Sequence, residues 1–141
     1  MNVPDPLAPD GVGFTLDGRS IVADPRVTDL ARHAWQVLQF RQDTDVAMLN
    51  ALIHTVIDEG LAGVEFIRER VDNFAALAEN VKGYSPEAMA PICGIPAPTL
   101  REVARAFARA RGAMILWGME VSQHVHGTSG GASASAGICA A

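Results

Sequence analysis

The sequence predicts an α/β layered domain on a short, mostly parallel sheet, and three observations carry that expectation. Two short runs of strand-forming residues, Ser20–Ala23 and Trp35–Phe40, come early in the chain. Helical patterns then fill most of the stretch from Asp43 to Gly112, and a fully apolar run, Ala113–Trp117, returns at its end. Strands separated by helical pieces are the pattern of helix-connected parallel strands. At 141 residues the chain is about one domain long, enough for one real core.

Residues 1–19 hold Pro4, Pro6, Pro9, Gly11, Gly13 and Gly18, which give no helical or strand period and read as an extended arm. Ser20–Ala23 reads as a buried strand ended by Asp24-Pro25, because the residue before a proline is pushed away from helix. Thr28 is placed to cap a short helix through His33. Trp35–Phe40 (WQVLQF) is rich in β-formers and gives the second strand. Asp43-Thr44-Asp45 then supplies capping and acidic side chains before Val46, Leu49, Ile53 and Val56, an apolar stripe at helical spacing that ends at Gly60.

Glu65–Lys82 is helical in pattern with a break near Asp72-Asn73. Ser85-Pro86-Glu87 combines a cap, a first-turn proline and an acid, and predicts a helix to Cys93 that Gly94 stops. Pro98 opens another, with Leu100, Val103, Ala104 and Phe107 inward and Gly112 as terminator. The last segment, 129–141, reads SGGASASAGICAA, with little apolar area to offset the entropy of ordering, and is expected to be a flexible tail. The domain is thus expected to span residues 20–128.

Composition excludes several classes. Eleven Lys+Arg stand against 16 Asp+Glu, a net charge of −5, whereas a general phosphate-backbone binder needs the opposite balance, so no nucleic-acid partner is expected. The longest apolar segment is interrupted by Asn50, His54 and Asp58, so no membrane span is expected. The N-terminus lacks the basic start and apolar core of a signal peptide, and Cys93 and Cys139 form no disulfide framework, so the expected location is cytoplasmic.

Open α/β sheets bind ligands at the carboxyl ends of their strands. Asp24, followed by Arg26, stands where a carboxylate can accept hydrogen bonds from ribose hydroxyls; capping of the next turn, or pairing with Arg26, is the better account from the residues alone, since no GxGxxG precedes it and Asp-Pro is common at turns. Asp43 and Asp45 flank a helix start, where capping explains both. A carboxylate there could also accept from N1 and N2 of guanine, a donor pair that adenine lacks. His124 and His126 are too few for a metal site, which needs three or four convergent ligands, and no metal ligand set is assigned. Arg101, Arg105 and Arg109 form a basic line whose ordinary explanation is a solvated face and whose alternative is contact with acidic neighbours. No catalytic residue is assigned, since Cys93 has no histidine close in sequence.

Four ordered segments carry a resemblance: VADPRVTDLARHA (Val22–Ala34), FRQDTDVAMLNAL (Phe40–Leu52), GYSPEAMAPICGIPAPTLREVARAF (Gly83–Phe107) and AMILWGMEVSQHVHGT (Ala113–Thr128). In this order they resemble the catalytic α subunit of bacterial molybdenum or tungsten formate dehydrogenases, of the molybdopterin oxidoreductase family. The resemblance implies part of a Rossmann-like domain that holds molybdopterin guanine dinucleotide. It implies that Asp24 and Asp45 contact the guanosine end, and that Met119, Glu120 and Gln123 pack near the pyrophosphate and pterin. Glu120 departs from the family's glycine, adding bulk and negative charge where an anionic ligand approaches.

The family's metal-binding cysteine or selenocysteine, its neighbouring histidine, its substrate arginine and its iron-sulfur cysteines have no counterpart in this stretch. The chain is therefore expected to be a fragment that supplies cofactor binding within an NAD-linked, formate-oxidising enzyme. Its expected partners are the remainder of the α subunit and the electron-transfer subunits. The alternative is a stand-alone α/β interaction module without cofactor that binds a protein through the arginine line.

Overall fold

The computed structural model describes the backbone of residues 12–16 and residues 18–117 in full. Its elements run β1 (Val12–Leu16), β2 (Arg19–Ala23), a 3-10 turn (Asp29–Arg32), β3 (Gln36–Leu38), α1 (Asp45–Asp58), α2 (Val64–Arg70), α3 (Phe74–Val81), α4 (Pro86–Cys93), α5 (Ala97–Arg109) and β4 (Ala113–Leu116). The α/β class holds, and β2 and β3 form a short parallel pair. The sheet as a whole is mixed and not mostly parallel. In the order β3-β2-β1-β4, β1 is antiparallel to both β2 and β4. The difference comes from β1, five residues expected to lie in the extended arm; once they pair, two of three ladders become antiparallel.

β2, β3 and β4 nevertheless all point the same way, since β2 and β4 each run against β1. Their carboxyl ends therefore lie along one edge of the sheet, β4 two strand spacings from β2, or about 10 Å.

Ile21, Ala23, Leu38 and Ile115 share one face by register and form a core with residues of α1, α4 and α5, among them Met48, Leu49, Met89, Leu100 and Phe107. Three of the helices thus pack on that face. Two of them, α1 and α4, show a local reason to stop where they do. Gly60, at φ +64°, closes α1: its N–H donates to Ile57 O (3.1 Å) and that of Leu61 to Val56 O (2.9 Å), the paired bonds of a Schellman end. In α4 the Ser85 hydroxyl accepts from the Ala88 N–H (3.3 Å), as the cap expectation required, and Gly94 at φ +81° ends the helix. The break in the Glu65–Lys82 pattern falls at Asn73, in left-handed backbone between α2 and α3.

Two of the three arginines of the line are engaged. Arg101 donates to both Glu87 oxygens (3.0 and 2.7 Å) and to Glu59 (3.3 Å), and Arg105 grips Glu59 through two bonds (2.7 and 2.9 Å). Arg101 and Arg105 make the contact with acidic neighbours on a face that stays partly solvated, and they tie the end of α1 to the start of α4 across α5. The Arg105 hydrogen bond, seconded by Arg101, holds the Glu59 carboxyl below its ordinary range, and the Arg101 hydrogen bond does the same for Glu87. A carboxyl whose pKa is lowered by folding stabilises the fold above its unfolded value and loses that contribution as pH falls through the lowered one. Acid titration should therefore erode stability from about pH 4.5 downward. Glu59→Gln should be less stable than the parent at pH 7 but lose less on acidification, with urea midpoints at pH 7 and pH 3 as the measurement. Equal pH dependence of the two proteins would show that the cluster contributes nothing.

Candidate functional site at the carboxyl edge of the sheet

The site is built where β2 and β3 end. Their register opposes Ala23 to Leu38, and the next amide, Asp24 N–H, donates to Leu38 O (3.2 Å), so the ladder continues one step past the strands. Asp24 therefore follows a buried strand straight into the interior, and it is only 1% exposed. The carboxylate Oδ1 accepts from the Arg26 N–H (2.7 Å) and from Arg26 Nε (3.3 Å). Oδ2 is buried and has no hydrogen-bond partner among the described residues. The bland reading of Asp24 thus accounts for one oxygen and leaves the other, and an orphaned acceptor on a buried carboxylate is costly unless a ligand or solvent donor reaches it.

Thr28, expected to cap the following turn, does not do so: it precedes the 3-10 turn but makes no side-chain cap bond, and its Oγ1 is a second buried polar atom with no partner among the described residues. Sequence reasoning assigned Thr28 only to capping. The position four residues after Asp24 was the one available hint. Gln39 was also passed over; its Nε2 donates to Pro25 O (3.2 Å) and so ties the loop after β3 to the loop after β2.

The β3–α1 connection is anchored from the other side. Arg41 donates its backbone N–H to Cys93 O (2.8 Å) and its guanidinium to the Pro91 and Ile92 carbonyls, capping the end of α4. Thr44 precedes α1, but its hydroxyl donates backward to Arg41 O and makes no cap bond to the first-turn amides. The expectation is thus corrected for Thr44 as a cap, because the tight turn at Asp43 (φ +62°) directs Thr44 back toward Arg41. Asp45 becomes the first residue of α1, half-buried, at the positive end of the helix dipole.

Asp24, Arg26, Asp43 and Asp45 are accordingly placed in the two connections that leave the carboxyl ends of the parallel pair. Met119, Glu120 and Gln123 lie outside the described residues, as do His124, His126 and Cys139. β4 ends on the same edge, at Leu116. Among the described residues no group of three or more His, Cys, Asp or Glu could hold a metal ion. Chemically, the edge offers a carboxylate oxygen and a hydroxyl that have no partner among the described residues, a set suited to a polar ligand with hydroxyl or N–H donors.

No family model matches the chain. Among curated proteins, it is 38% identical over 107 residues to formate dehydrogenase H of Escherichia coli, which covers 76% of this chain and 15% of that protein. It is 39% identical over 107 residues to the F420-dependent formate dehydrogenase subunit alpha of Methanocaldococcus jannaschii, covering 76% and 16%. To the periplasmic nitrate reductase of Desulfovibrio desulfuricans it is 34% identical over 116 residues, covering 76% and 15%. Among solved structures, acetylene hydratase from Pelobacter acetylenicus superposes with a TM-score of 0.77 at 32% identity, over 84% of this chain and 16% of that one. The chain thus spans about one sixth of the length of the relatives it matches.

Proposed function

The chain belongs to the molybdopterin oxidoreductase family, with formate dehydrogenase α subunits among its relatives, and we propose that it serves such an enzyme as a segment that binds the guanosine end of molybdopterin guanine dinucleotide. The observation that carries this reading is the buried, unpartnered Oδ2 of Asp24 at the edge where the parallel strands end. A ribose hydroxyl would satisfy it. Asp45, at the positive end of the α1 dipole, would accept from N1 and N2 of guanine. Arg26, held by Asp24 and still half-exposed, adds a cation beside the same carboxylate.

The bound cofactor, with molybdenum or tungsten, supplies the two-electron redox chemistry. This chain supplies binding and orientation. In the whole enzyme formate would be oxidised to carbon dioxide and electrons would pass through iron-sulfur clusters toward NAD, with the rest of the α subunit and the electron-transfer subunits as partners and the cytoplasm as location. Among the described residues no helix is long and apolar enough to cross a membrane. The reading of a stand-alone interaction module rested on the arginine line, and two of its three arginines are engaged with Glu59 and Glu87.

Two results test the proposal. Guanine nucleotide should be preferred over adenine nucleotide when GDP and ADP are compared by isothermal titration, and Asp45→Ala should erase that preference more than Asp24→Ala does. An acceptor left facing the adenine edge is worth about 1–3 kcal/mol of discrimination, or roughly 5- to 150-fold. Equal binding of both purines would sink the assignment. The chain alone, supplied with molybdate and an electron acceptor, should oxidise no formate above background, since the metal ligand and clusters that the resemblance calls for have no counterpart in it. Metal-dependent turnover by the pure chain would refute that division of labour.

A further inference from the structure

We infer that helix α2 is a hinged flap, which opens and recloses while the sheet and α1, α4 and α5 stay folded. Its seven residues bury one side chain, Ile67 at 8% exposure, while Val64 and Phe66 are 75% and 50% exposed. The side-chain polar contacts of α2 among the described residues stay within it: Arg68 pairs with Glu65 and Glu69, and Arg70 lies over the Phe66 ring. A helix this short does not persist in water without tertiary support, and here the support is one side chain. Neither of its ends has a side-chain cap.

What lies on either side is anchored independently. α1 completes its own Schellman end at Gly60 and Leu61, so the loss of α2 takes no hydrogen bond from it. Leu61 and Ala62 pack against Val56 and Ala104, fixing the near end of the flap, and Gly63 follows as the helix N-cap. Beyond it the chain turns through left-handed Asn73 into α3, whose last turn is held by fully buried Val81 and by His54 Nδ1 against Val81 O (3.0 Å). The hinge points are therefore Gly63 and Asn73. α1 is 14 residues long, about 21 Å, and it separates this flap from Asp45 at the other end. The inference does not depend on the proposed cofactor.

Native-state hydrogen exchange on the full chain in sub-denaturing urea tests it. The amides of Ile67 and Val71 should exchange at least 100-fold faster than those of Ile53 and Val56 in α1, with a urea dependence near zero, because a local opening exposes little surface. Trypsin under native conditions should cut first after Arg68 or Arg70. Ile67→Ala should speed that first cut about tenfold while leaving exchange in α1 within threefold. The inference fails if the α2 amides share the urea slope of α1, if the first cut falls in α5, or if Ile67→Ala lowers α1 protection in step with α2 or prevents the chain from folding.

Discussion

Leu100→Ala should cost about 3–5 kcal/mol, a large part of the roughly 5–15 kcal/mol by which a domain of this kind is stable. Leu100 is fully buried and belongs to the core shared by the sheet, α1, α4 and α5. Truncation removes the transfer free energy of three carbons and leaves a cavity, and the two terms add when the walls cannot collapse. The walls here are held apart from outside the core: Arg101, one residue on, is clamped to Glu59 on α1 and Glu87 on α4, so α5 cannot settle toward either without breaking those bonds. The value should therefore fall in the upper part of the usual range. In urea the midpoint should drop by about 2 M with little change in slope. Leu52→Ala, half-buried on α1, should cost less than half as much. A loss below about 2 kcal/mol at Leu100 would show that α5 repacks freely and that the ion-pair clamp does not hold it.

The helices were legible because their signals are local. The Ser85-Pro86-Glu87 start, the stop at Gly60 and the spacing Leu100, Val103, Ala104, Phe107 each lie within a dozen residues, and α4, α1 and α5 follow them. The sheet was legible only where it is local too. β2 and β3, 12 residues apart from end to start, were read as strands and pair in parallel. β1 was missed because its proline- and glycine-rich surroundings hide a strand whose second partner, β4, lies nearly 100 residues away. One signal was available: the dipeptide Asp17-Gly18 between two runs is a sequence that favours a two-residue hairpin turn, and Gly18 sits at φ +84°. The same limit governs the charges. Arg105 meets Glu59 across 46 positions, and no spacing rule connects them. At the site, sequence identified the carboxylates. It could not say which oxygen of Asp24 would be left without a partner, since that depends on how the backbone of Arg26 curls back upon it.

That asymmetry sets up the sharpest expected result at Asp24. In Asp24→Asn the side chain keeps its shape: the amide oxygen can still accept from the Arg26 N–H, while an NH₂ replaces the unpartnered Oδ2. Two effects of opposite sign follow. A buried charge is removed, which favours the fold; against that, the NH₂ puts two buried donors with no acceptor among the described residues where Oδ2 stood, and the pair with half-exposed Arg26 loses its charge. These effects roughly offset, and the stability of the empty protein should stay within about 1 kcal/mol of the parent. A ligand hydroxyl that donates to Oδ2 would lose its acceptor, and GDP affinity should fall 10- to 100-fold, about 1.4–2.7 kcal/mol. A purely structural carboxylate predicts the reverse pattern, with stability lost and any nucleotide affinity unchanged. Urea unfolding and calorimetric titration of the same Asp24→Asn preparation separate the two. A drop in midpoint with GDP binding retained would assign Asp24 to the loop alone and remove the observation on which the cofactor reading rests.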